Sequence, residues 1–339
     1  MALWTDVIDP ASLTGYARES LSAIEARKGT LARWLPNQTI FDTVARFVAG
    51  QAGLVEEAKF RAYDAAPEIG KAPGGRRVTL ELPALGTNIP VTEYAQIRAR
   101  NGSDDALLAS IQKATDVVAL AVSDRIERLR GTVLVTGKAT IDQDNFKTDD
   151  DFGRKAEHTT TASTLWSAAE ADPLADLAAW VDIYVGSNGV EPGSIVLSRR
   201  VLRALAAHGS FRVQLAGGGS RPANTADVVA ILEGAGLPQV VQYDRRTSAG
   251  RVVPDNSVLL LPEPVEVDDA DGTQLGGTFW GQTLTSTDSS YGIEDAEQPG
   301  IVTGVYRNEK PPMIAEVISD AIALPVLANA DLSLAATVL

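Results

Sequence analysis

The sequence has no cysteine and only two histidines, His158 and His208, among 339 residues. The first absence excludes disulfides, thiolate metal sites and cysteine nucleophiles. The second leaves little imidazole for acid–base work, and neither histidine has a partner at zinc-site spacing. His158 lies in a Thr-rich polar loop. His208 falls at the end of a predicted helix, where a cation meets the dipole favourably. Both read as structural or solvated. Long apolar runs are missing too. No stretch approaches the roughly 18 continuous apolar residues of a membrane span. Met1-Ala2-Leu3-Trp4-Thr5-Asp6 has no basic segment leading into an apolar one, so no secretory signal is expected and the chain reads as a cytosolic product. Positive charge is also in deficit, with a net charge of −14. That argues against a nucleic-acid binder with a basic footprint and against docking on anionic membranes.

Catalytic motifs fail on inspection. Asp142-Gln143-Asp144-Asn145 opens like a calcium loop, but Phe146 and Lys147 stand where that loop needs an oxygen ligand and a glycine. Gly217-Gly218-Gly219-Ser220 lacks the Lys-Ser or Lys-Thr pair of a phosphate-binding loop. Ser110-Ile111-Gln112-Lys113 has the Ser-x-x-Lys spacing of some acyl transferases without their companion motifs, and it sits mid-helix. No Gly-x-Ser-x-Gly elbow occurs. Carboxylates are abundant, but nothing singles out a pair. The expected catalytic, cofactor-binding and metal residues are therefore none.

What is present is material for cores. Apolar residues make up 45% of the chain and charged residues 22%, which suits folded structure. Length allows one large domain or two to three smaller ones. Residues 1–50 are short apolar clusters between Pro10, Gly15, Gly29, Pro36 and Gly50, with one short helix from about Leu13 to Arg27. Trp4, Trp34, Leu35, Phe41 and Phe47 sit there on weak local structure. They must pack against the chain's own core or against a neighbouring copy. Lys59 to Tyr63 and Arg76 to Leu82 alternate as strands, and the Pro- and Gly-rich stretch from Ala65 to Gly75 lies between them. The pattern predicts a long hairpin.

Ser103 is a good N-cap, with Asp104 and Asp105 in the first turn. Leu107, Leu108, Ile111, Val118, Val122, Ile126 and Leu129 then recur at helical spacing up to a stop at Gly131. The predicted helix spans roughly 40 Å at 1.5 Å per residue. A strand is expected at Thr132–Val135 and a polar loop or surface hairpin over 137–164. An α/β region follows, with helices near 174–185, 199–207 and 226–233 and strands at 194–197, 240–243 and 257–261. Gly186, Gly209 and Gly234 are expected to end helices. Residues 255–300 hold ten acids and no Lys or Arg. Such a run reads as a solvated face, or as a face meeting bases such as Arg199, Arg200 and Arg203 of a neighbour. Residues 314–339 alternate, are strongly apolar, and should return as strands beside the long helix.

This layout resembles the major capsid proteins of tailed bacteriophages, which have the HK97-type fold. Local sequence is similar to the lambda-like capsid protein E family. The resemblance rests on Gly86-Thr87-Asn88-Ile89-Pro90-Val91-Thr92-Glu93-Tyr94, on Val253 through Pro262, and on Ile322 through Asp331. It implies an α+β fold with an N-terminal arm (1–50), an extended loop (51–101), a peripheral domain (102–165 and 306–339) and an axial domain (166–305). It implies a structural protein, not an enzyme, without cofactors. Its partners would be other copies of itself in hexamers and pentamers, with scaffold, portal and decoration proteins as further candidates and no membrane. The icosahedral shell would enclose double-stranded DNA without sequence-specific binding. The subunit would assemble in the bacterial host cytoplasm and reside in the virion. Some relatives crosslink through a lysine and an asparagine; no residues here match that chemistry, and the lambda-like branch is not expected to crosslink. An acidic subunit suits a DNA container, because an attractive wall would hold the genome. Three other readings stay open: an encapsulin-like compartment around a cargo enzyme, a hydrolase built on residues 166–305, and a different phage structural or adhesin-type binding protein.

Overall fold

Asp9 starts the first helix. Its side chain accepts from the Ser12 amide, and Pro10 brings a pre-set φ to the first turn. Strand β1 (Ala2–Leu3) precedes this helix, α1 (Pro10–Lys28), and β2 (Asn37–Thr39) and β3 (Val44–Ala49) follow it. The computed structural model describes residues 1–50, 75–100, 104–143, 146–214, 219–269 and 273–339. The next described elements are β4 (Arg76–Glu81), β5 (Ala84–Leu85), β6 (Asn88–Val91), α2 (Glu93–Arg100) and α3 (Asp104–Thr136). A hairpin of β7 (Lys138–Gln143) and β8 (Phe146–Asp151) comes next, then β9 (Thr159–Thr161) and α4 (Pro173–Asn188). The α/β stretch runs through β10 (Ser194–Leu197), α5 (Arg199–Ala207), the ribbon β11 (Val213–Gln214) and β12 (Ser220–Arg221), and α6 (Thr225–Gly234). It continues with β13 (Gln239–Gln242), the ribbon β14 (Arg246–Thr247) and β15 (Gly250–Arg251), and β16 (Ser257–Leu261). The chain closes with β17 (Gly276–Trp280), α7 (Leu284–Thr287), β18 (Val302–Arg307), β19 (Ala315–Leu327) and β20 (Leu334–Thr337).

Two sheets organise these elements. The larger runs β1-β18-β19-β17-β2, with β5 and β6 also paired to β19. Its centre is the 13-residue β19, whose first half alternates buried and half-buried residues and whose second half is wholly buried. The first half lies between β18 and β6, the second between β17 and β5, all antiparallel. The smaller sheet runs β13-β10-β16-β20-β9. In it β10 and β16 are buried at every residue, so they read as continuous apolar runs without alternation. The parallel pairing of β10 with β13 is bridged by α5 and α6, as a parallel connection requires.

Between the sheets lies α3, 33 residues and about 50 Å long. By length and composition alone it could cross a membrane. In the fold it packs against α1, β19 and β7 instead. The expected stop at Gly131 and strand at Thr132–Val135 are both overturned, because the helix runs on to Thr136. Gly131 is needed inside the helix for contact: a Cβ there would fall 2.5 Å from the Val252 carbonyl oxygen. The real stop is Gly137, with φ at +73°. Arg154 closes this end by donating to the carbonyls of Leu134 (2.7 Å) and Val135 (2.5 Å). Burial lowers the Arg154 pKa to about 10, which leaves it a cation at neutral pH, suited to a helix C-terminus.

Trp34 and Leu35 pack into the chain's own core, Trp4 and Phe47 lie half-buried against it, and Phe41 stays exposed. Leu13, Leu31, Trp34 and Leu35 are fully buried within it. The Trp34 indole donates to Ser194 Oγ at 2.9 Å and to the Pro262 carbonyl at 3.1 Å. The hairpin expectation falls partly outside the described residues. Arg76–Glu81 is a strand, but its described partner is Val44–Ala49, in register from Val44↔Glu81 to Ala49↔Arg76. The expected partner Lys59–Tyr63 lies outside the described residues, as do Ser103, Gly217 and Gly218. Gly186 sits inside α4, which ends at Gly189 in the left-handed region. The helix at 199–207, the strands at 194–197 and 257–261, and the returning C-terminal strands are where their patterns placed them.

Two glycine substitutions separate contact from propensity. In α1, a Cβ added at Gly15 would meet no atom within 4 Å. Gly15→Ala should therefore stabilise by about 0.5–1 kcal/mol in urea unfolding. Gly131→Ala should instead destabilise by roughly 1–3 kcal/mol, because the added carbon collides with backbone. Equal stabilisation by both would refute the contact.

Candidate assembly surfaces and the buried charge cluster behind them

Glu127 and Arg130 lie three residues apart on α3, hence on one face. That face meets α1, the turn at Thr30, β2 and β17. Arg130 has no solvent exposure. Its Nη1 donates to Glu25 (2.8 Å) and Glu127 (3.0 Å), its Nη2 to Asn37 Oδ1 (2.6 Å) and its Nε to Thr278 Oγ1 (2.9 Å). Glu127 also accepts from the Leu31 amide (2.7 Å), the Thr30 hydroxyl (3.0 Å) and the Tyr243 hydroxyl (2.5 Å). Burial pulls the Arg130 pKa down, but the charges of Glu25 and Glu127 outweigh it and hold the guanidinium above its ordinary value. Burial, then the charge of Glu127, pushes the Tyr243 phenol well up, so it stays a donor. Beside this cluster, Arg245 joins Ser123 (2.7 Å) and Asp124 (2.9 Å) of α3 to the β13 side of the molecule. Arg130 and Glu127 present no charge to solvent and tie these elements together, while a cleft of about 270 Å³ reaches Glu25 and Asn37 at the cluster's edge.

The histidines are both inside the fold. His158 is fully buried, its Nδ1 donating to the Ser333 carbonyl (3.4 Å) and its Nε2 accepting from Ser187 Oγ (3.0 Å). Burial lowers its pKa. His208 donates from Nε2 to the Ala168 carbonyl (3.2 Å) and accepts at Nδ1 from the Ser210 amide (3.3 Å). It therefore caps the following turn. Of the calcium-like stretch, residues 144 and 145 lie outside the described residues, and Asp142 pairs across the β7–β8 hairpin with Lys147 at 2.7 Å. Among the described residues no group of three or more His, Asp or Glu could hold a metal ion.

The outer faces carry apolar side chains that the fold leaves uncovered. Leu284 is 91% exposed and Phe41 61% exposed, and both line a cleft with Ala84 and Ile322. Tyr94 and Ile97, three residues apart on α2, are exposed on another face, and Phe146 and Val190 elsewhere. Within the acidic run, Asp255 pairs with Arg200 (3.0 Å) and Arg251 (3.4 Å) of its own chain. Glu263, Glu266, Glu294, Asp295 and Glu297 are exposed. None of these surfaces follows from a sequence motif. The signal for the buried cluster was Glu127 and Arg130 falling among the apolar positions Ile126, Leu129 and Val133.

Solved structures match the chain from end to end. A protein assigned as the capsid protein of a prophage in E. coli CFT073 has a TM-score of 0.65 at 14% identity, over 98% of this chain and 99% of that one. A phage-related protein from Bordetella bronchiseptica RB50 has a TM-score of 0.57 at 16% identity, over 99% and 98%. The capsid of Myoviridae phage XM1 has a TM-score of 0.50 at 12% identity, over 91% of each chain. No family model matches the sequence, and no curated protein does. The likeness is one of fold, and the fold is the α+β HK97-type capsid fold.

Arg130→Met should cost about 3–5 kcal/mol in urea unfolding, because Glu25 and Glu127 would stay buried without their counter-charge. A cost below about 1 kcal/mol would show that the cluster is not holding the elements together. His158 sets a pH dependence. Its folded pKa lies below the ordinary 6.5, so the unfolded chain binds the proton first. Its contribution is intact above that value and is lost as pH falls toward the lowered folded pKa. Thermal unfolding should therefore shift down between pH 7 and pH 5, and the shift should shrink in His158→Gln.

Proposed function

We propose that this chain is the structural subunit of a closed protein shell, the major capsid protein of a tailed bacteriophage. In this reading it assembles as hexamers and pentamers into an icosahedral container for double-stranded DNA. The observation that carries the proposal is coverage: the likeness to the prophage protein spans 98% of this chain and 99% of the other. Large apolar side chains exposed on several faces, Phe41, Tyr94, Ile97 and Leu284 among them, support it, because each can be covered by a different neighbour. Many modest contacts per subunit then multiply into a stable shell.

Residues 1–50 form the arm, 51–101 the extended loop, 102–165 and 306–339 the peripheral domain and 166–305 the axial domain. The arm differs from a free tether in that α1 and Trp34 belong to the core of their own subunit. β9 and β20 of the peripheral part share a sheet with β10, β13 and β16 of the axial part, which couples the two. The subunit is structural and not catalytic, and its acidic surface keeps it from gripping the genome. Scaffold, portal and decoration proteins are further partners, and assembly takes place in the host cytoplasm.

Electron microscopy of the purified protein, with its mass by light scattering, tests the proposal. Closed polyhedral particles, or hexamers and pentamers that grow into them, are expected. Particles filled with one enzyme would move the reading to an encapsulating compartment. A monomer that stays monomeric when coexpressed with its neighbouring genes would overturn it.

A further inference from the structure

The groove between α3 and the β7–β8 hairpin contains a cation that has no partner among the described residues. Its volume is about 370 Å³, and Leu85, Val122, Ile126, Leu129, Ile141 and Phe146 supply apolar wall. Arg125 of α3 lines it and is half-buried. Among the described residues its guanidinium makes no hydrogen bond or ion pair. Burial lowers its pKa and the nearby charge of Arg128 adds to this, yet a guanidinium stays protonated in proteins. A half-desolvated cation against apolar wall calls for a carboxylate flanked by apolar side chains. The bases Arg199, Arg200 and Arg203 make a weaker case for meeting the acidic run. They are exposed to water, and Arg200 already pairs with Asp255.

The chain carries the matching chemistry on a stretch that does not line the groove. Residues 284–297 present Leu284, 91% exposed, and the exposed acids Asp288, Glu294, Asp295 and Glu297, with no Lys or Arg anywhere from 255 to 300. The Glu294 carboxylate makes no hydrogen bond or ion pair among the described residues. Glu294 also lies beside Ile293, which is half-buried. We infer that the Arg125 groove is the acceptor half of a contact between two copies of this chain, and that the 284–297 stretch of the second copy, led by Glu294, is the donor half. The two halves are different sets of residues, and a head-to-tail contact between them propagates from copy to copy, closing into a ring when the rotation allows. Charge pairing fixes its register, and the apolar wall supplies burial. The inference rests on the shell reading for its setting, but the contact has its own test.

Arg125→Glu and Glu294→Arg, each alone, place like charges across the contact. Each should lower the assembled fraction in light scattering by about ten-fold or more, a change of roughly 1.4 kcal/mol. The double substitution in one chain swaps the charges and should restore assembly to within about two-fold. Thermal unfolding of each variant checks that the subunit is folded. If the single variants assemble like the unaltered chain, or the double variant is not rescued, this contact is wrong while the shell reading stands. A second measurement is independent of particle formation. The chain has no cysteine, so Ala121→Cys on the groove rim and Leu284→Cys are the only thiols when the two variants are mixed and oxidised. A mixed disulfide dimer, absent from either variant alone, is expected. No mixed dimer, in particles or in concentrated free subunits, overturns the contact. Failure of the unaltered chain to assemble at all would overturn the shell reading instead.

Discussion

A guanidinium with no access to water holds this molecule in register. Arg130 meets Glu25 of α1, Glu127 of its own helix, Asn37 of β2 and Thr278 of β17. Each of those groups lies on a different part of the chain. A buried ion set of this kind adds little stability over a well-packed apolar substitute, since desolvation offsets most of the attraction. Its effect is on geometry. If α1 slides one turn along α3, or β2 pairs elsewhere, two carboxylates and a guanidinium are left unsatisfied. Only one arrangement of arm, spine helix and sheet satisfies all of them, and Tyr243 and Arg245 extend that constraint to the smaller sheet.

This rigid frame explains how the surface can be left apolar in places without the fold suffering. The core closes through β19, β10 and β16, whose residues are buried by neighbours in the same chain. Leu284, Phe41, Tyr94 and Ile97 contribute nothing to that closure. They stand on elements whose positions are already determined, so under the proposed shell reading they are free to meet other copies. The same holds for Arg125, which sits on the best-anchored helix of the molecule, one turn from the cluster. A docking surface built on such a helix needs little reordering on contact, which keeps the entropic cost of association low.

Several elements were legible to the residue. β10 and β16 are short runs of apolar residues between breakers. α5 begins at Ser198, whose side chain accepts from the Val201 amide. These signals are local. Two misreadings share one cause, glycine read as punctuation when it served inside a helix. Gly131 is inside α3 because the Val252 carbonyl passes there, and Gly186 is inside α4 because the left-handed cap comes three residues later. The pairing of β4 with β3 lay beyond the sequence for a separate reason: strand alternation says that a residue run is extended but not which run lies beside it.

Composition and pattern by themselves determined the class of elements, the long helix, the returning C-terminal strands, the acidic balance and the poverty of imidazole and thiol. Each is a property of residues near one another in the chain. Tertiary structure alone decided that Leu13, Leu31, Trp34 and Leu35 join the core, that two charges on α3 are buried and satisfied, and that Arg125 lines an apolar groove without a partner among the described residues. The physical reason is that burial and pairing depend on what arrives from distant sequence: Glu25 and Asn37 lie 105 and 93 positions from Arg130, and no local pattern encodes that meeting.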